Sequence, residues 1–420
     1  MIIIESLAIV ACATLILTFL LRNVGFSGCG IGGIFIYISH FLGYPLYLLR
    51  GEISEVYPKV SETIYHIGLI YSLVGFISYF LVVSFIKIDR DKKSNELSLS
   101  ILKYQILLMM FYILFALGCF GYISKNGITF GGDYANRLTE NSGSGFYLMA
   151  MFAFIPAIIL LSLKNNIKQA YISAIICGLM YFFIVGGSRN ILAAGLVAIT
   201  FIAYQNGKLK VTRMLFLGVL VIIVMNMLVF ARYSLSLANF DTNDIVALIL
   251  SYTADSFSPL DFQSIAVNYY MTDYNPIIQG FNLFINQFSG FIPRFLWPDK
   301  PIVIMNNSYY FTTHILGLSG NLNMAPTMLG SSMVMFGRYG YFLVYIMGAL
   351  FLKFIDIFTL SKVLILKVIG YMSIPFIFFM TREGLDLYVF IVFKFTLVVI
   401  FGFFISSIIY YIVPKKYETR

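Results

Sequence analysis

Residues 388–412 read Tyr-Val-Phe-Ile-Val-Phe-Lys-Phe-Thr-Leu-Val-Val-Ile-Phe-Gly-Phe-Phe-Ile-Ser-Ser-Ile-Ile-Tyr-Tyr-Ile, a run of twenty-five with a single charge at Lys394. A helix of that length reaches beyond a bilayer core of ~30 Å. Inside lipid no water is present to satisfy the backbone, so such a segment must close its own hydrogen bonds as a helix. Similar runs recur near 2–21, 30–49, 64–86, 104–124, 145–163, 170–185, 191–205, 214–231, 341–360 and 363–380. The reading is therefore an all-α polytopic membrane protein with about 11 (10–12) transmembrane helices. Bulk composition agrees, with 60% apolar and 11% charged residues and a mean hydropathy of +0.89. Met1-Ile2-Ile3-Ile4-Glu5 lacks a basic n-region, and the apolar run behind it is too long for a cleaved signal, so it reads as a retained helix.

Charge sets the sidedness. The 87–103 loop carries Lys87, Arg90, Lys92, Lys93 and Lys103 and marks the cytoplasmic face. Alternation then places Lys164 and Lys168, Lys208, Lys210 and Arg213, Lys362, and Lys415, Lys416 and Arg420 on the same side, so every short basic loop agrees. This accounts for the net charge of +9 without nucleic acid as a partner. The N-terminus is then outside. The chain divides into a bundle of about eight helices over 1–231, one large outer loop with interfacial helices over 232–340, and C-terminal helices with a cytoplasmic tail over 341–420.

The outer side differs in kind. Seven of its ten basic residues are Arg (Arg50, Arg137, Arg189, Arg232, Arg294, Arg338 and Arg382), against four of fifteen inside. Topology needs positive charge inside and does not require Arg outside, whereas Arg grips phosphate or carboxylate with two donors at once. The asymmetry points to an anionic ligand handled on the outer face. The stretch Phe291-Ile292-Pro293-Arg294-Phe295-Leu296-Trp297-Pro298-Asp299-Lys300-Pro301 holds the only Trp, two cations and three prolines. Three fixed φ angles make it a rigid corner. It suits an anion attached to something flat or greasy, or, more plainly, an aromatic anchor at the lipid headgroups. Residues 276–292 are apolar but too short to span, and read as an interfacial or re-entrant helix that delivers this corner to the membrane surface.

Other constellations are weaker. Arg189 stands in Gly186-Gly187-Ser188-Arg189-Asn190, between two short apolar runs that draw the turn below the surface; a snorkelling hairpin tip is the alternative. Arg338 lies between Gly337 and Gly340 at the mouth of the next helix, and Arg232 and Arg382 sit at outer helix ends. Asp255, Asp261, Asp299, His314 and Glu383 are outer candidates for a general base, with none dominant. Asp89-Arg90-Asp91 reads as solvated charge. His40, His66 and His314 are too dispersed for a metal site, and the four cysteines suggest neither zinc nor a disulfide framework. No cofactor is expected. Lys353 and Asp356 are three apart on one helix and can pair, or snorkel toward the cytoplasm. Few other intramembrane carboxylates are present, which weighs against a carrier.

At these residues the chain resembles the O-antigen polymerases, the Wzy-type oligosaccharide repeat-unit polymerases of bacterial envelopes. The matching features are Ile292-Pro293-Arg294, Trp297-Pro298 and Lys300-Pro301, the Gly187-Ser188-Arg189 turn, and Pro326 with Phe336-Gly337 and Gly340 before a membrane helix. Where the family has an acidic residue before the Phe-Gly pair, Gly330-Ser331-Ser332 stands here. The resemblance implies a GT-C-like fold in the bacterial inner membrane, with the large loop and the active site periplasmic. It implies glycosyl transfer between undecaprenyl-pyrophosphate-linked oligosaccharide repeat units, with Arg189, Arg294 and Arg338 stabilising the pyrophosphate leaving group. Arg232, Trp297, Lys300, Arg382 and His314 are the expected substrate contacts. Membrane lipid and a polysaccharide chain-length regulator are the further partners it suggests. Two alternatives stand beside it: an O-antigen ligase acting on lipid A core, for which a loop His speaks, and a flippase or transporter of the same lipid-linked units.

Overall fold

A computed structural model describes residues 2–50, 60–86, 100–127, 143–185, 190–214, 216–218, 220, 223, 258–273, 275–292, 296–301, 303–318 and 323–412. In chain order the helices are α1 (Ile2–Val24), α2 (Gly28–Tyr37), α3 (Gly43–Arg50), α4 (Glu62–Phe85), α5 (Ile101–Asn126), α6 (Gly145–Met151), α7 (Phe154–Leu163), α8 (Ile167–Ile184), α9 (Asn190–Gln205), α10 (Leu260–Thr272), α11 (Asn282–Phe288), α12 (Asn307–Tyr310), α13 (Thr327–Gly340), α14 (Phe342–Leu360), α15 (Leu364–Ser373), α16 (Ile377–Arg382) and α17 (Leu385–Ile412). Among the described residues there is no strand. Eight helical stretches among them are long and apolar enough to cross a membrane, and α9 is a shorter apolar helix. The chain is thus an all-helical, multi-pass membrane protein. The predicted span 214–231 falls largely outside the described residues.

Local chemistry explains the breaks. Pro156 cannot donate to the Phe152 carbonyl and its ring crowds that oxygen, so the 145–163 span divides between α6 and α7. Pro375 likewise sits in a 3₁₀ turn over Ile374–Phe376, between α15 and α16. A π-turn over Ile38–Leu42 joins α2 to α3 and carries His40.

The helices form two compact units, each assembled from non-contiguous stretches. The first comprises residues 1–88, 238–356 and 377–390. In it α1 and α4 are linked at Ser6 and His66, 2.9 Å apart. The α2 glycines let neighbours come close: a Cβ on Gly32 would press on the Tyr79 hydroxyl and Leu352, and one on Gly33 on Leu20. The start of α2 is held by the Asp356 carboxylate, which accepts the Gly28 N–H at 2.6 Å and the Cys29 N–H at 3.2 Å. A carboxylate there satisfies donors with no helical partner and opposes the positive end of the helix dipole. Three residues earlier, Lys353 donates to the Ile86 carbonyl at the end of α4. Both charges therefore have backbone partners, a use that their spacing alone does not reveal.

The second unit comprises residues 89–237, 357–376 and 391–420. Polar links between apolar helices recur here: Tyr112 with Ser173 at 2.6 Å, Tyr171 with Thr200 at 3.0 Å, and Tyr371 donating to Gln205 at 2.7 Å. Gly118 and Gly121 bring α5 onto Met151 and the Tyr147 ring, and Gly402 receives the edge of Phe111. Phe395 packs between Phe152 and Phe376, at ring distances of 5.0 and 4.5 Å.

Candidate functional site

The first unit is built around two helices that come from the 232–340 segment. Helix α10 buries Gln263, Ser264, Ala266 and Val267, with Gln263, Ser264 and Val267 facing the bare Gly68 of α4. Tyr65 donates to Asp261 at 2.6 Å, so α10 lies alongside the first half of α4. Helix α13 is buried from Thr327 to Met335 without interruption. Gly330 admits Pro326 and Ala266, which a Cβ would meet at 2.8 and 3.1 Å.

A polar chain crosses the core where these helices meet α4, the π-turn and α14. Gln263 Oε1 lies 2.8 Å from His40 Nδ1 and accepts from Thr327 at 3.1 Å, while Gln263 Nε2 donates to Ser72 at 3.1 Å. With an amide oxygen as its neighbour, His40 carries its proton on Nδ1. Nε2 then accepts from the Tyr345 hydroxyl at 3.2 Å. All five residues are essentially inaccessible. Thr327 has a φ of +64°, rare for a β-branched residue, and its hydroxyl bond to Gln263 helps hold that conformation.

Toward its far end α13 is broken at Gly337, whose φ of +65° and ψ of −173° only glycine adopts readily. The break leaves helix-end carbonyls open. Val334 and Met335 accept the N–H groups of Gln279 and Gly280 at 2.9 and 2.7 Å. That docks residues 276–280 and leads into α11 and the 3₁₀ turn Ser289–Phe291. Phe288 and Phe291 then close on Phe390 of α17, at ring distances of 5.8 and 5.0 Å. The Lys300 ammonium donates to the Gly290 and Ile292 carbonyls at 2.6 and 2.8 Å, folding the proline-rich corner back on its own stem.

The start of α17 is the polar end of this arrangement. Arg382 meets Glu383 at 3.2 Å across the join from α16, and both are partly exposed. Burial pushes the Glu383 carboxyl above the usual carboxylate range; Arg382 opposes this and Asp386 adds to it. Gly384 follows with φ +151°, and a Cβ there would meet both the Ser331 hydroxyl and Asp386 Oδ1. Asp386 is buried and accepts the Asn307 backbone N–H at 3.3 Å. The Ser331 hydroxyl is buried with no hydrogen-bond partner, as is Arg382 Nε. Ser39 donates to Thr381 at 3.2 Å, fixing α16 to the π-turn.

Of the predicted site residues, Arg189, Arg232 and Arg294 lie outside the described residues. Arg338 follows the α13 break with its guanidinium 4.8 Å from the Tyr339 ring centre. Arg382 stands at the start of α17, Trp297 is half-buried, and Lys300 is engaged by backbone carbonyls. His314 is exposed, stacked on Tyr310 at 4.4 Å, with Nδ1 2.8 Å from the Thr313 hydroxyl. The structure thus brings the stem of the corner, α13 and the Arg382–Glu383 pair to the first turns of α17 within one unit. Sequence reasoning passed over His40, Gln263, Thr327 and Tyr345. The available signal was a His and a Gln within apolar surroundings, where unpaired polar groups are costly.

A family model described as WzyE protein, O-antigen assembly polymerase, matches residues 2–417. No solved structure matches the chain.

Proposed function

Because the chain belongs to the WzyE family of O-antigen assembly polymerases, we propose that it joins undecaprenyl-pyrophosphate-linked oligosaccharide repeat units by glycosyl transfer at the periplasmic face of the bacterial inner membrane. The observation that carries this reading is the family match over 2–417. A hydroxyl at the non-reducing end of one lipid-linked unit attacks the anomeric carbon of the growing chain. The bond from that carbon to the pyrophosphate breaks, and undecaprenyl diphosphate departs with the electron pair. The leaving group is already activated, so the protein's work is to orient two sugars and stabilise charge developing on the pyrophosphate.

Arg189, Arg294 and Arg338 are assigned to that charge. Arg232, Arg382, Trp297, Lys300 and His314 are assigned to the substrates. Lys300 acts chiefly through the loop, since its two carbonyl bonds set the shape of the corner beside Trp297. In this reading the membrane domain has about eleven spans in a GT-C-like arrangement, with residues 232–340 on the periplasmic side. A chain-length regulator acts on the same growing polymer.

A strain lacking the gene, complemented at matched expression, tests the assignment on a lipopolysaccharide gel. Wild type should restore a ladder from a single-repeat band, and Arg294→Ala or Arg189→Ala should not. Loss of all polymer from the core, with polymer retained on the carrier lipid, would instead identify a ligase.

A further inference from the structure

We propose that Glu383 is the general base of the reaction, taking the proton from the acceptor hydroxyl while Arg382 orients its carboxylate; this rests on the polymerase reading above. Four observations single it out among the described outer carboxylates, Asp255 lying outside the described residues. Asp261 is held by the Tyr65 hydroxyl on the flank of α4. Asp299 is exposed at the tip of the proline-rich corner. Asp386 is buried and already accepts a backbone N–H. Glu383 is partly buried, its side chain 16% exposed, and has the Arg382 guanidinium beside it.

The surroundings suit a ligand. Ser331 Oγ is fully buried, lacks a hydrogen-bond partner and faces the bare Cα of Gly384, next to Glu383. An orphaned hydroxyl at that depth costs free energy and leaves a donor and an acceptor open to a ligand. Sugar hydroxyls have the matching chemistry. A side chain on Gly384 would fill the space that Ser331 and Asp386 share. Arg382 reaches Glu383 through Nη1 alone and so fixes one carboxylate oxygen.

Burial raises the proton affinity of Glu383, which strengthens it as a base. The charged groups acting on it are Arg382, which lowers its proton affinity, and Asp386, which raises it. In the step itself the acceptor O–H bond breaks and its proton passes to Glu383. The oxygen forms the new bond to the anomeric carbon, and the pyrophosphate leaves with the electrons of the bond it loses. The protonated carboxyl then returns its proton to water.

The test uses full-length protein in lipid nanodiscs and lipid-linked repeat units extracted from a strain lacking this gene. Wild type should polymerise them. Glu383→Gln should lower the initial rate by about 100-fold or more without changing the melting temperature, and Glu383→Asp should recover part of the rate. A Gln variant within threefold of an active wild type overturns the base assignment and leaves the polymerase intact. Inactive wild type overturns the polymerase reading itself. Should Glu383→Gln fail to fold, the wild-type pH profile decides. An acidic limb rising at a midpoint above ~4.3, the ordinary Glu value, supports the assignment, and a flat profile across that range overturns it.

Discussion

Gln263 is the residue on which most of the buried polar core depends. It accepts from His40 and Thr327 and donates to Ser72. Gln263→Leu would preserve volume while leaving those groups unmatched, and each buried orphan costs about 1–3 kcal/mol. The expected result is a clear fall in the detergent melting temperature. His40→Leu alone should also destabilise, but the double substitution should cost less than the sum, because it removes both halves of one bond. Strict additivity in that cycle would show that the bonds do not act as a network. None of this was visible in the sequence, where His40 stood as one of three scattered histidines and Gln263 as an unremarked polar residue in a loop. A hydrogen-bond network is defined by which helices meet, and single-chain spacing carries no record of that.

Elements that cross the bilayer were legible because hydropathy measures transfer into lipid directly. The stretches 2–21, 64–86, 104–124 and 388–412 correspond to α1, α4, α5 and α17 to within a few residues. Helices α10 and α13 were not legible as core elements. At thirteen and fourteen residues they are too short to span, and α13 mixes Gly, Ser and Met in its buried stretch. Their burial follows from contact with α4, which apolar run length does not register. The break at Gly337 is the element-scale feature most open to test. Ala there would force a side chain into a glycine-only conformation at about 1–3 kcal/mol, with its Cβ 2.7 Å from Ile278. The docked strap at 276–280 should loosen, seen as faster hydrogen exchange at the Gln279 and Gly280 amides. Unchanged protection there would mean that the strap does not depend on how α13 ends. Of the candidate site, the sequence marked Arg382 and the proline-rich corner, but not that the stem of the corner closes on Phe390 one turn beyond Asp386.

Both units are discontinuous along the chain, and in the first the gap is long. Ser72 meets its partner only at Gln263, and His40 meets the Tyr345 hydroxyl only after α14 exists. Non-local contacts of this kind close late. At a synthesis rate of ~5–20 residues per second, the interval between making Ser72 and making Tyr345 is on the order of 10–60 seconds. Until α10 and α14 are made, α4 and the π-turn sit in the membrane with unmatched polar groups, while the N-terminal helices of the second unit are synthesised. Nascent chains arrested at residue 257 should therefore be cut readily by protease within 1–86, and full-length chains should be protected there. The polar core that fixes the finished site is thus a late step of biogenesis. An insertase or chaperone that shields such helices would set the yield of active enzyme more strongly than the stability of the completed protein does.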